Sequence, residues 1–147
     1  GGCIKRGVSD DVEFVTEQRV SRPPDYFSLL LVWDGANASS SQIASLLPLL
    51  PLTIDLAELL DVSPQGGAGG TMYRLRCIVC FQNKHYVLVA YNPWVAQWVQ
   101  FDDHSVKPIG GWNDVLSKCQ RGGLQPLVVF FERFSIQPQA SFDTPAR

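Results

Sequence analysis

The sequence predicts a sheet-dominated domain, an antiparallel β-meander with short helices packed beside it. Three observations carry this. Tyr73, Leu75, Cys77, Val79 and Phe81 alternate with Arg74 and Arg76 at period two, the spacing of a strand half solvated at one end. Two further strand-forming runs, HYVLVAY from His85 and QWVQF from Gln97, follow on either side of a turn signal at Asn92-Pro93. Trp112, Val115, Leu116 and Cys119 then recur at helical spacing, and Gly122-Gly123 supplies the stop for a short amphipathic helix.

The remaining elements follow in chain order. Residues Asp11 to Val20 mix polar and apolar positions as a weak strand, and Pro23-Pro24 ends any regular ladder. Phe27 to Trp33 (FSLLLVW) is a continuous apolar run closed by Asp34-Gly35, which predicts a strand buried on both faces. Ser39, Ser40 and Ser41 offer N-caps for a helix through Leu47, closed by Pro48. Between Leu52 and Val62, Ile54, Leu56, Leu59 and Leu60 should dock on the core. Ser63 to Gly70 (SPQGGAGG) reads as a flexible loop and is the only linker-like stretch. Gln82-Asn83-Lys84 is a short connection between the first two strands of the meander. Leu127 to Phe131 (LVVFF) predicts a last buried strand, after which the tail beyond Phe134 should fray. Phe27 to Trp33, His85 to Tyr91 and Leu127 to Phe131 are thus expected to be the most buried strands.

Composition narrows the function. A chain of 147 residues with 46% hydrophobic content can bury a real core. Its 12 basic and 14 acidic residues are scattered, with no basic run to track a phosphate backbone, so nucleic acid is not an expected partner. The greasiest stretch, Ile43 to Leu60, is broken by Pro48 and Pro51 and carries Asp55 and Glu58, a poor membrane span. The four cysteines, Cys3, Cys77, Cys80 and Cys119, are preceded by nothing resembling a secretory signal, and the chain opens inside what reads as a domain. Reduced thiols in the cytoplasm or nucleus are the expectation.

His85 opens one strand of the meander and Asp102 closes the next. If Tyr91 faces Ala96, the ladder sets His85 opposite Asp102, and a shift of one or two positions substitutes Asp103 or His104. Opposed residues lie about 5 Å apart between β-carbons, so a carboxylate there can accept an imidazole N–H and fix its tautomer. That is what a general base needs. On spacing alone, the plainer reading is favoured: two polar residues ending strands at a solvent edge.

The surrounding residues change this. YRLRCIVCFQNKHYVLVAY, followed by QWVQFDDHSVKPIGGWNDVLSKCQRGGLQPLVVFFE, resembles the C-terminal half of the ubiquitin-specific protease catalytic domain. In that family a Y-x-L strand leads to a histidine followed by tyrosine, and a W-x-x-F-D-D block supplies the orienting aspartate. Tyr73, Leu75, His85, Tyr86, Trp98, Phe101, Asp102 and Asp103 match it. Lys107, the IGGW stretch from Ile109 to Trp112, Gln125-Pro126 and FSLLLVWD resemble one branch more closely. This is the ubiquitin carboxyl-terminal hydrolase-related proteins, whose animal members are often labelled inactive. The resemblance covers Pro24 to Glu132.

The resemblance implies an α+β fold of the papain-like cysteine proteinase superfamily, here its antiparallel sheet-bearing half. Residues 1–23 would form a leader, the end of a finger region; 24–134 the C-terminal half of the protease domain; 135–147 a flexible tail. The implied reaction is hydrolysis of the isopeptide bond at the ubiquitin C-terminus by a thiol protease. His85 would be the base, Asp102 its orienting acid and Asp103 a neighbouring polar group, with Lys84 and Tyr86 beside the substrate. The implied partners are ubiquitin or its conjugates and the N-terminal half of the same domain. No cofactor and no metal at the site are implied. A ubiquitin-binding pseudoenzyme or scaffold is the alternative.

Two departures from the family stand out. The early cysteine box is missing, which makes this the second half of a domain with its nucleophile outside it. The loop ahead of the histidine is very short and ends in Lys84, where the wider family has glycine. Cys77 and Cys80 lie three apart in a strand, so they point to opposite faces and share neither a metal nor a disulfide; both read as packing residues. Cys119 lies near a helix C-terminus, where the dipole disfavours a thiolate. Cys3 is a lone candidate for a finger-type zinc ligand, and His104 for capping a surface turn.

Overall fold

The computed structural model describes residues 19–35, 37–62 and 70–135. The glycine-rich stretch 63–69, the tail 136–147, most of the expected first strand and Cys3 lie outside the described residues. Strands and helices are numbered in chain order. A short parallel ribbon pairs β1 (Arg19–Val20) with β4 (Asp61–Val62). The main sheet has seven strands. Six lie side by side in the order β2 (Tyr26–Leu30), β9 (Gln125–Arg133), β5 (Met72–Gln82), β6 (His85–Asn92), β7 (Gln97–Asp102) and β8 (Ser105–Gly110). The seventh, β3 (Thr53–Asp55), pairs with the first residues of β5, and every pairing in this sheet is antiparallel.

The helices start and stop where their side chains dictate. Ser39 caps α1 (Ser40–Leu46): its hydroxyl accepts from Gln42 N, while the Gln42 side chain accepts from Ser39 N. Pro48 does not end the turn outright but sits inside a 3-10 turn over Leu47–Leu49. A four-residue α2 (Leu56–Leu59) follows, capped by Asp55. Gly123, at φ +62, closes α3 (Trp112–Gly122) in the left-handed conformation that a residue without Cβ adopts freely.

α1 and α3 cover one face of the sheet. Ile43 and Leu47 from the first, and Val115 and Cys119 from the second, pack with Tyr73, Leu75, Ile78, Cys80, Val87, Val89, Trp98, Val129 and Phe131 in one buried cluster. The strict alternation expected for β5 is interrupted. A bulge between Leu75 and Cys77 shifts the register with β9, so the buried side runs Tyr73, Leu75, Ile78, Cys80, and Cys77 faces the other way.

Burial corrects several expectations. Phe27 to Trp33 is not a doubly buried strand. It is an edge, bonded only to β9, with Phe27 stacked on Phe131 while Leu30 and Val32 are 71% and 86% exposed. Within His85 to Tyr91 and Leu127 to Phe131 only the positions facing the helices are fully buried: Val87 and Val89 in the first, Val129 and Phe131 in the second. Tyr86 and Phe130 lie exposed on the far face. Leu59 and Leu60 likewise stay exposed, whereas Leu56 is buried and Ile54 packs partly against the core. β8 was not anticipated, because Pro108 lies within it. As the sheet's other edge, β8 loses no ladder bond that proline would have to donate to an outer neighbour.

Candidate active site

Two tight turns at the same end of the sheet build the site. Gln82 pairs with His85, leaving a two-residue connection, Asn83-Lys84, with φ of 47° and 69°. Left-handed values at both central residues fit the twist of a two-residue hairpin. Asparagine adopts them readily; lysine does so at a steric cost. The next strand pair repeats the device. Asp102 pairs with Ser105 across the turn at Asp103-His104, where Asp103 has φ 46°. His85 and Asp102 are therefore the ladder residues flanking adjacent turns, and His104 lies in the second turn as expected.

The register differs from the expected one by two positions. Tyr91 pairs with Trp98, not Ala96, because Asn92 remains in the ladder opposite Gln97 and its side chain accepts from Trp94 N to organise the four-residue turn. On that register Asp102 falls opposite Val87, and His85 is its diagonal neighbour on the same face. Diagonal neighbours lie within reach of long side chains. His85 Nε2 indeed stands 2.9 Å from Asp102 Oδ1, and both side chains are partly exposed.

This contact sets the electrostatics. The hydrogen bond to Asp102 raises the His85 pKa above its ordinary 6.5; partial desolvation opposes the rise, and the charge of Asp102, the Asn83 backbone and the charge of Asp103 add to it. In the neutral tautomer that carries its proton on Nε2, that nitrogen donates to Asp102 and Nδ1 is the one that can take another group's proton. Asp103 is exposed, but donor atoms of His85, Asp102 and Asp103 all lie within 4.8 Å of one another. These three could in principle ligate an ion. Lys84 sits exposed in the turn. Tyr86 points to the face opposite His85, where it packs on Phe81 with ring centroids 5.5 Å apart.

None of the described cysteines is poised as a nucleophile. Cys80 is fully buried, and its hydrogen bond to Cys119, followed by burial, holds its pKa well above normal. Cys77 is half-buried with its pKa raised by desolvation. Cys119, on α3, departs from the expectation of a disfavoured thiolate, since the hydrogen bond with Cys80 lowers its pKa against the opposing effect of burial, but it is fully buried and out of reach of a substrate. Sequence reasoning overlooked Gln100, which is buried on β7 and lies against Asp102, its Nε2 3.4 Å from Oδ2. A polar residue two positions before the aspartate, on the same strand face, was the available signal.

Comparison with known proteins shows the family of the chain. The chain carries a domain related to the ubiquitin carboxyl-terminal hydrolases, the ubiquitin-specific proteases. It is 31% identical over 109 residues to ubiquitin carboxyl-terminal hydrolase 53 of Homo sapiens, a stretch that makes up 74% of this chain and 10% of that protein. It is 28% identical over 123 residues to ubiquitin carboxyl-terminal hydrolase 54 of Mus musculus, covering 83% of this chain and 8% of that one. The protein of the same name from Rattus norvegicus matches to the same extent. The chain thus spans a tenth or less of the length of these relatives. No family model matches it.

Proposed function

We propose that this chain is the C-terminal, sheet-bearing half of a papain-like deubiquitinase domain, bounded by residues 24–134, and that it supplies the histidine and aspartate of a cysteine-hydrolase site. The observation that carries the reading is the 2.9 Å contact between His85 and Asp102, made by the residues that match the family's histidine and aspartate. In this reading a thiol from the other half of the domain gives its proton to His85 Nδ1 and attacks the carbonyl at the ubiquitin C-terminus. The imidazolium then protonates the leaving lysine amine, while Asp102 holds the ring and stabilises its charge. The buried Cys80 and Cys119 and the half-buried Cys77 fit a nucleophile that comes from elsewhere.

The test uses the complete domain, including the upstream segment, with a fluorogenic ubiquitin substrate. Loss of His85 as base should cost about 10²–10⁴-fold in turnover for His85→Ala. The chain alone should show none. Turnover by the chain that vanishes in Cys80→Ala would overturn the assignment. A second reading is a ubiquitin-binding scaffold without hydrolase activity, supported by the resemblance to a branch whose animal members are often labelled inactive; Lys84, left-handed at φ 69° where the wider family has glycine, bears on the grip of the ubiquitin tail in either reading. Ubiquitin binding by a complete domain that never turns over would favour it.

A further inference from the structure

Among the described residues two polar side chains are buried, Gln100 and Gln125. They differ in what they do. Gln125 Oε1 accepts from Ala38 N at 2.9 Å and so ties the approach to α1 onto β9. Gln100 makes no such tie. Its Oε1 is buried without a hydrogen-bond partner, and its amide nitrogen reaches only Asp102. Burying an amide with an open acceptor works against folding, so packing alone gives no reason for a glutamine at this position.

Its placement supplies one. Gln100 lies on β7 two residues before Asp102 and on the same face, between Val89 of β6 and Lys107 of β8. Asp102 Oδ1 faces His85 Nε2 at 2.9 Å, and Oδ2 faces Gln100 Nε2 at 3.4 Å. The amide cannot be turned round, because Oε1 would then oppose a carboxylate oxygen. Rotation of a carboxylate about its last torsion is soft and roughly two-fold, so an aspartate held through one oxygen keeps considerable freedom. A donor on the second oxygen, here a long contact at 3.4 Å, restricts it. An amide does this without adding charge, leaving the whole negative charge of Asp102 to act on His85.

We propose that Gln100 is the positioning residue of the His85–Asp102 pair, fixing the carboxylate plane so that Oδ1 stays on His85 Nε2. The proposal rests on the reading of that pair as the base of a hydrolase. It separates stability from site geometry. Replacing Gln100 by leucine removes the unpaired buried acceptor and keeps the volume, so the fold should be as stable or more so while the pair loosens.

The experiment uses the full ¹⁵N-labelled chain carrying His104→Gln, which leaves His85 as the sole imidazole of the two in the sequence. Solvent exchange of the His85 Nε2 proton is measured by NMR alongside the urea midpoint. Gln100→Leu should speed that exchange by about tenfold, the scale expected for weakening a hydrogen bond to a charged group, with the midpoint unchanged or raised. Unchanged exchange in folded Gln100→Leu overturns the proposal. Should that variant not fold, Gln100→Met repeats the test; failure of both to fold would make Gln100 a fold determinant and overturn the proposal as well. An Asp102→Asn control separates the two layers: if exchange is already fast and Asp102→Asn leaves it unchanged, the pairing itself is absent and the functional reading fails with the inference.

Discussion

The two faces of the main sheet carry the same classes of residue and meet opposite fates. On the face under α1 and α3, Ile78, Val89, Val129 and Phe131 are wholly buried, whereas on the other Tyr86, Phe101, Val106 and Phe130 remain exposed. Hydrophobicity does not distinguish them. Strand parity does, together with the bulge in β5 that decides which residues of that strand turn toward the helices. The site belongs to the covered face, at the end where the strands close into tight turns. There His85 and Asp102 continue the rows of Val87 and Val89, and of Trp98 and Gln100, out into partial exposure.

The two faces should differ most in what truncating one aromatic side chain costs. Phe131→Ala should destabilise the chain by about 3–5 kcal/mol, since it opens a cavity beneath Phe27 and Tyr73. Phe101→Ala on the open face should change stability by about 1 kcal/mol or less. Equal urea midpoints for the two would mean that the faces are not energetically distinct. A smaller effect is expected at the other buried glutamine. Gln125→Leu leaves Ala38 N without its acceptor and should cost about 1–3 kcal/mol, a loss that Gln100→Leu should not share.

The turns sharpen the picture further. Lys84→Gly should stabilise the chain by about 1 kcal/mol or less, because glycine takes φ of 69° without steric penalty while losing more entropy on folding. A destabilised Lys84→Gly would show that the lysine side chain contributes more than its backbone costs. The pH dependence follows from His85. Its folded pKa lies above the ordinary 6.5, so the stability it contributes is fully present below about pH 6.5 and is lost as pH rises through the folded pKa. Urea midpoints should therefore fall over that window, and Asp102→Asn should flatten the fall.

Much of this was legible in the residues, and the misses have physical causes. The meander over β5, β6 and β7, a cap among Ser39, Ser40 and Ser41 and a stop at Gly122-Gly123 are readable because alternation, capping and left-handed glycine are local rules; the fold selects Ser39 and Gly123. The burial of Phe27 to Trp33 was misjudged because an apolar run does not say whether it lies at the centre or edge of a sheet. The pairing register was two positions out because Asn92 extends the ladder before it organises the turn. His85 and Asp102 still meet, by a diagonal contact in place of a direct one. Sequence offers only one signal for Gln100, a polar residue two positions before Asp102 on the same strand face; its significance lies in an acceptor left open and a donor spent on Asp102.

The central claim is that Asp102 orients and charges His85, and titration of His85 by NMR in the intact chain tests it most directly. The His85 pKa should lie above 6.5 and fall toward that value in Asp102→Asn. A His85 that titrates at its ordinary value in both proteins would contradict it.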